Sequence, residues 1–185
     1  MDEDEQHRQA FGRRGCISII NGIRCNSITV DRLMLNELIA TGDFSNLAWK
    51  LLGRYIANNT HLITIGLCNC RISDDRMALL FSELVRSKSL DSVDLNNNEF
   101  GIEGVRSMAP FLQNSPQLKQ LYFSRNNNVD SECFEFLVRK LCGTSCGAFI
   151  FGIATLRIYH HYQHTIYQIS KDSICVATKL EGRDV

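Results

Sequence analysis

Proline is scarce in this chain, two residues in 185, and no low-complexity stretch stands in for a linker. At a length typical of one domain, this argues against two compact bodies joined by a spacer. An excess of charge is also absent: 20 Lys and Arg balance 20 Asp and Glu. Gripping nucleic acid or an anionic membrane through general electrostatics needs a basic surplus, so neither is expected as a partner. Long hydrophobic runs are missing too. The longest, Ala148–Leu156, is relieved only by glycine and threonine and ended by Arg157. It falls far short of the roughly 20 residues of a spanning helix, and reads as a buried strand. The start, Met1-Asp2-Glu3-Asp4-Glu5, is acidic where a secretory signal needs basic residues and an apolar stretch. The expectation is a cytoplasmic protein whose eight cysteines are thiols in a reducing compartment.

What the chain does have is a frame. Leu62, Leu90 and Leu118 are spaced by 28 residues. Each opens the same phrase: Leu62–Ile65–Leu67, Leu90–Val93–Leu95, Leu118–Leu121–Phe123. The fourth and sixth positions are two apart, so both point to one face of a strand. Cys70, Asn98 and Asn126 follow, with Ile72 and Phe100 just beyond the first two. The rest of each unit carries a helical stripe in steps of three and four: Trp49–Leu52–Ile56, Met77–Leu80–Leu84 and Val105–Met108–Leu112. Phe134, Leu137 and Leu141 continue it one residue late, which implies one insertion near Asn126–Asn127–Asn128–Val129. Ser73-Asp74-Asp75 and Asp130-Ser131-Glu132 offer capping oxygens and first-turn acids at helix starts. Val30–Leu33–Leu35 has the strand spacing but sits four residues early, as a degraded first unit would. A period of this size means stacked supersecondary units, each covering its neighbour's apolar stripe.

The pattern L-x-x-L-x-L-x-x-N/C-x-L is the leucine-rich-repeat signature. The chain resembles leucine-rich-repeat proteins over about residues 30–144, and the 28-residue unit is similar to the ribonuclease-inhibitor-like subclass. The resemblance implies an α/β leucine-rich-repeat solenoid, a short horseshoe of strand-turn-helix units with a parallel sheet on its inner face. Residues 1–28 are then a charged N-terminal arm and cap, with Cys16–Ile20 a short strand or part of that cap. Residues 29–144 are the array, one degraded and three good units, and 145–185 a divergent C-terminal cap or poorly ordered tail. The resemblance also implies that the side chain at the Cys70 position hydrogen-bonds backbone left unpaired where the strand turns.

The tail admits two foldings. A fourth opening phrase should fall near Cys146 or Gly147, and Cys146–Phe149–Phe151 has the spacing, without a following Asn. Beyond it, Thr165–Ser170 and Ile174–Leu180 around Lys171-Asp172-Ser173 fit a hairpin. A helix over Ala154–Ile169, with Ile158, Tyr162, Ile166 and Ile169 on one face, fits as well.

The resemblance places partner binding on the inner wall, whose outward residues fall in rows. The candidate partner-binding residues are Asp91, Asp94, Asn96, Lys119, Tyr122, Ser124 and Arg125. Tyr and Arg are enriched where partners bind, so Tyr122 and Arg125 are the anchors and Asp94 sets charge preference. Asp91 should sit beside Lys119 and Asp94 beside Tyr122. The plain alternative is that Asp91 and Lys119 merely pair across strands, worth about 0.2–1 kcal/mol. No catalytic residue, cofactor or metal is expected. Cys68-x-Cys70 lacks a second pair at zinc-like spacing, and Cys142-x-x-x-Cys146 fits two small apolar fillers. His160 and His164 would be one turn apart on a helix, with His161 beside them, but the acid of H-E-x-x-H is missing. The expected function is a non-enzymatic protein–protein interaction module. The alternatives are a regulatory or substrate-receptor subunit of a larger assembly, or a metal-binding protein or enzyme using the C-terminal histidines.

Overall fold

The computed structural model describes residues 2–11, 17–35, 44–126, 128–130, 132–133, 136–137, 140, 149–152, 165–169 and 174–178. In chain order the elements are α1 (Glu3–Phe11), α2 (Ile17–Arg24), β1 (Arg32–Met34), α3 (Asn46–Asn58), β2 (Thr64–Gly66), α4 (Asp74–Leu84), β3 (Ser92–Asp94), α5 (Ile102–Gln113), β4 (Gln120–Tyr122), β5 (Phe149–Gly152), β6 (Thr165–Ile169) and β7 (Ile174–Thr178). The strands form one sheet in sequence order, parallel from β1 to β5 and antiparallel from β5 to β7.

The frame becomes a spine. Leu33, Ile65, Val93 and Leu121 are partners across adjacent strands, and all are fully buried. Leu62, Leu90 and Leu118 lie in the same interior, as do Leu67, Leu95 and Phe123. The helical stripes close over them: Trp49, Leu52 and Ile56, then Met77, Leu80 and Leu84, then Val105, Met108 and Leu112 are all buried. The helices also bury a second row against one another, with Phe81 and Phe111 edge to face at 5.4 Å. At Gly53 the approach of α3 to α4 is close, because a Cβ there would lie 2.5 Å from the Leu80 carbonyl oxygen.

Parallel three-residue strands leave backbone groups unpaired where the chain turns toward the helix, and the Asn position satisfies them. Asn98 Oδ1 accepts from the Cys70 and Ile72 amides, while its Nδ2 donates to the carbonyls of Leu67, Leu95 and Asn96. Asn126 repeats the arrangement, accepting from the Asn98 amide and donating to the Leu95, Phe123 and Ser124 carbonyls. Cys70 fills the position more weakly, its thiol donating to the Leu35 and Cys68 carbonyls at 3.4 and 3.3 Å. Each side chain thus ties its own turn to the turn before it.

Several expectations are corrected. The N-terminal segment is not an arm: its acids Glu3, Asp4 and Glu5 lie in the first turn of α1, and α1 buries His7, Ala10 and Phe11. These dock on α3 around Tyr55, with His7 and Phe11 ring centroids 5.7 and 6.2 Å from it. Ile17–Ile20 lie in α2 and not in a strand, and α2 buries Ile20 and Ile23; Cys16 is outside the described residues. The early phrase Val30–Leu33–Leu35 nevertheless pairs in register with the second unit. Its four extra residues fall between β1 and α3, where residues 36–43 lie outside the described set.

The one-residue insertion is where the spacing put it. Asn126 keeps the 28-residue frame, whereas Val129 is buried one residue late relative to Phe100. Leu137 is buried; Phe134 and Leu141 lie outside the described residues. The same shift corrects the fourth opening phrase. Ile150, not Phe149, is the partner of Leu121, while Phe149 and Phe151 pair with Gln120 and Tyr122. One residue of slip exchanges the faces of a strand. In the tail, β6 and β7 pair antiparallel as the hairpin required, and the helix reading fails over Thr165–Ile169; residues 153–164 are outside the described set. Ser73 is the N-cap of α4 but makes no side-chain cap bond. Asp74 serves the next unit instead, its Oδ1 accepting from the Gly101 and Gly104 amides, both at 2.7 Å. At the last helix start Asp130 does cap, accepting from the Cys133 amide.

Candidate functional site

Residues flanking the spine point away from the helices, and backbone register sorts them into rows. The first row is Asp31, Ile63, Asp91 and Lys119. The Asp31 carbonyl accepts from the amides of Ile63 and Thr64, that of Ile63 from Asp91 and Ser92, and that of Asp91 from Lys119 and Gln120. The next is Arg32–Thr64–Ser92–Gln120, and then Met34–Gly66–Asp94–Tyr122. Past the strand ends come Cys68, Asn96 and Ser124, then Asn69, Asn97 and Arg125.

The seven expected residues all lie on this open face, with different duties. Lys119 Nζ is 3.1 Å from Asp91 Oδ2, and the lysine side chain remains 73% exposed. Such a pair contributes about 0–1 kcal/mol and leaves both charges accessible. Asp94 is the register partner of Tyr122, and both are half-buried. Asp94 Oδ1 accepts from the Asn96 amide at 3.0 Å, and its carboxylate also takes a hydrogen bond from the Cys68 thiol. Burial first, and that carboxylate second, push the Cys68 thiol up to about 12. At neutral pH this sulfur is therefore a protonated donor. Asn96 works within the face: its Oδ1 accepts from the Ser124 amide at 2.6 Å, joining adjacent units. Arg125 is exposed and has a left-handed φ of 58°. The two preceding units put asparagine there, Asn69 and Asn97, at φ of 57° and 54°. Lys119 and Arg125 flank β4 on opposite sides and are not brought together.

Sequence reasoning missed Asp31, Arg32 and Met34, which β1 adds to the face. The displaced phrase Val30–Leu33–Leu35 carried the signal, since its outward residues follow once the phrase is accepted as a strand. His160, His161, His164, Cys142 and Cys146 lie outside the described residues. Among the described residues no cluster of three His, Cys, Asp or Glu side chains could hold a metal ion, and no helix is long and apolar enough to cross a membrane.

Two solved structures share this arrangement. One is leiomodin-1 actin-binding site 2, with a TM-score of 0.69 and 14% identity over 78% of this chain and 83% of that one. The other is the tropomodulin C-terminal domain of Caenorhabditis elegans, with a TM-score of 0.58 and 17% identity over 78% and 86%. The fold is a leucine-rich-repeat solenoid. At these identities the likeness shows the fold alone. Sequence relatives point to the same repeat class. The chain is 25% identical over 123 residues to "NACHT, LRR and PYD domains-containing protein 5" of Mus musculus. It is 32% identical over 106 residues to "NACHT, LRR and PYD domains-containing protein 13" of Homo sapiens. The stretches cover 66% and 57% of this chain and 10% of each relative, so the chain spans about a tenth of their length. No protein-family model matches the chain. The similarity is to repeat regions of the ribonuclease-inhibitor-like kind, as the 28-residue unit required.

Proposed function

We propose that the chain is a non-enzymatic protein-interaction module that binds a protein partner on its open strand face. In this reading residues 29–144 are the recognition array, with 1–28 and 145–185 as its caps. One observation carries it. Four in-register strands present a continuous set of polar and aromatic side chains, Asp91, Asp94, Lys119 and Tyr122 among them, while every apolar spine residue is turned inward. The core does not need those outward residues. Arg125 adds support, because an arginine occupies a left-handed turn position where asparagine is less strained.

The test is affinity capture from the native source with the full chain and its Tyr122→Ala/Arg125→Ala variant. Retained proteins should drop in the variant while its unfolding midpoint moves little. An unchanged set of captured proteins overturns the reading. The solved leiomodin-1 fragment is named as an actin-binding site, so purified actin is the first defined probe. A second reading, a regulatory part of a larger assembly, is favoured by the sequence relatives, whose names set repeats beside NACHT and PYD domains.

A further inference from the structure

We propose that the β1–β2 end of the open face docks a basic, amphipathic segment of a protein partner, its apolar side chains on Ile63 and Met34 and its lysines or arginines against Asp31, Asp91 and Asp94. The proposal rests on the face being the binding surface, and specifies where on it and for what chemistry. Single exposed apolar residues are ordinary on protein surfaces. Here two of three share one end of one face. The exposed large hydrophobics among the described residues are Ile28, Met34 and Ile63, at 77, 47 and 43%. Met34 and Ile63 lie on the open face, and Ile28 is in the turn leading into β1.

Acids surround them. Ile63 stands in its row between Asp31 and Asp91, held there by the amide–carbonyl bonds that join the three. In the Met34 row, Gly66 puts no side chain between Met34 and Asp94. Arg32 and Lys119 are the cations nearby, and Lys119 already faces Asp91. Three carboxylates against two cations leave this end net acidic, which favours a basic visitor, and an acidic one would meet like charge. The spacing suits a helix. Ile63 and Met34 are on adjacent strands and offset by three residues, about 10 Å along the strands and 4.8 Å across. Side chains at i and i+7 of a helix are separated by about 10.5 Å.

The experiment uses the full chain and two labelled peptides, an amphipathic Lys/Leu helix and its Glu/Leu counterpart, read by fluorescence anisotropy. The Lys/Leu peptide should bind, and less well in high salt. Met34→Ser/Ile63→Ser should weaken it at least about tenfold, and Asp31→Asn/Asp91→Asn should do the same. Lys50→Ala, an exposed change on α3 outside the face, should leave it within about twofold. These side chains are exposed or half-buried, and unchanged thermal melts separate lost binding from lost fold. No binding of the Lys/Leu peptide, equal binding of the Glu/Leu peptide, or indifference to Met34→Ser/Ile63→Ser overturns the proposal. So does a concentration-dependent dimer abolished by the same pair, which would seat a second copy on the patch. If the peptide fails while native-source capture still falls with Tyr122→Ala/Arg125→Ala, the patch is wrong and the binding face stands. If no variant of either group alters that capture, the face itself is wrong.

Discussion

Asn98 shows how much one side chain can carry in a solenoid. Its amide group makes five hydrogen bonds, all to backbone, and bridges two units. Alanine there would strand buried amides and carbonyls, each costing about 1–3 kcal/mol when unsatisfied. Asn98→Ala should lower unfolding free energy by about 3 kcal/mol in denaturant titration. Asn126→Ala should cost less, since its oxygen accepts from one amide rather than two. Equal losses, or a loss for Asn98→Ala below about 1 kcal/mol, would mean that water replaces the side chain. Arg125 gives the opposite sign. Its left-handed φ is easier for asparagine, so Arg125→Asn should stabilise the fold by about 0.5 kcal/mol. If it also weakens partner capture, the residue's place is explained by binding and not by stability.

Elements were legible where the period held and obscure where it did not. The strands and helices from Trp49 to Phe123 followed from apolar spacing, because stacking enforces one register on every unit. The N-terminal helix α1 was not, since its charged residues outnumber its apolar ones and only Ala10 and Phe11 mark a buried side. Its docking depends on His7, which is buried beside Phe11 and Tyr55, with Nδ1 3.3 Å from the Tyr55 hydroxyl. Burial, then the nearby Arg24 charge, holds the His7 pKa below its ordinary 6.5, against weaker opposing pulls from a hydrogen bond with Asn21 and from the charges of Asp4 and Glu3. As pH falls, the unfolded chain therefore takes up the proton first. The neutral ring's contribution is complete above about 6.5 and is lost as pH drops through the lower folded value. Protection of the amides over residues 3–11, taken relative to the intrinsic exchange rate at each pH, should fall in mildly acid solution, and Trp49, in contact with Phe44 at 5.7 Å, should report it by fluorescence. His7→Phe should flatten the response, and a response unchanged in that variant would assign it to another group. At the α3–α4 contact, Gly53→Ala would push a methyl against the Leu80 carbonyl, and should cost about 2 kcal/mol by thermal or chemical unfolding.

At the scale of the whole molecule, the repeat made the open face legible as a surface without making its chemistry legible as a site. The seven outward residues could be named because the repeat signature fixes which positions face out: Asp94 and Tyr122 alternate with the buried spine, and Asp91, Asn96, Lys119, Ser124 and Arg125 lie just beyond the three-residue strands. That Cys68 bonds Asp94, and that Asn96 serves the neighbouring turn, depends on how rows lie side by side, which no single unit encodes. The acid-ringed apolar end was hidden for the same reason, since Asp31 and Asp91 become neighbours of Ile63 only through stacking. Stacking also governs cooperativity. Each unit touches only those beside it, so stability is close to a sum of unit and interface contributions. Leu35 and Leu95 are equally buried, one in the first strand unit and one between two neighbours. Truncating either to alanine removes about 2–5 kcal/mol of packing. The consequences should differ in reach. Leu35→Ala should lose amide protection around β1 and α3 while α4 and α5 keep theirs, because fraying from an end leaves the inner interfaces intact. Leu95→Ala weakens two interfaces together and should lower protection across β2 to α5. Hydrogen exchange with peptide-level resolution separates these patterns, and a uniform loss in both variants would show that the units fold as one cooperative body rather than as a chain of neighbours.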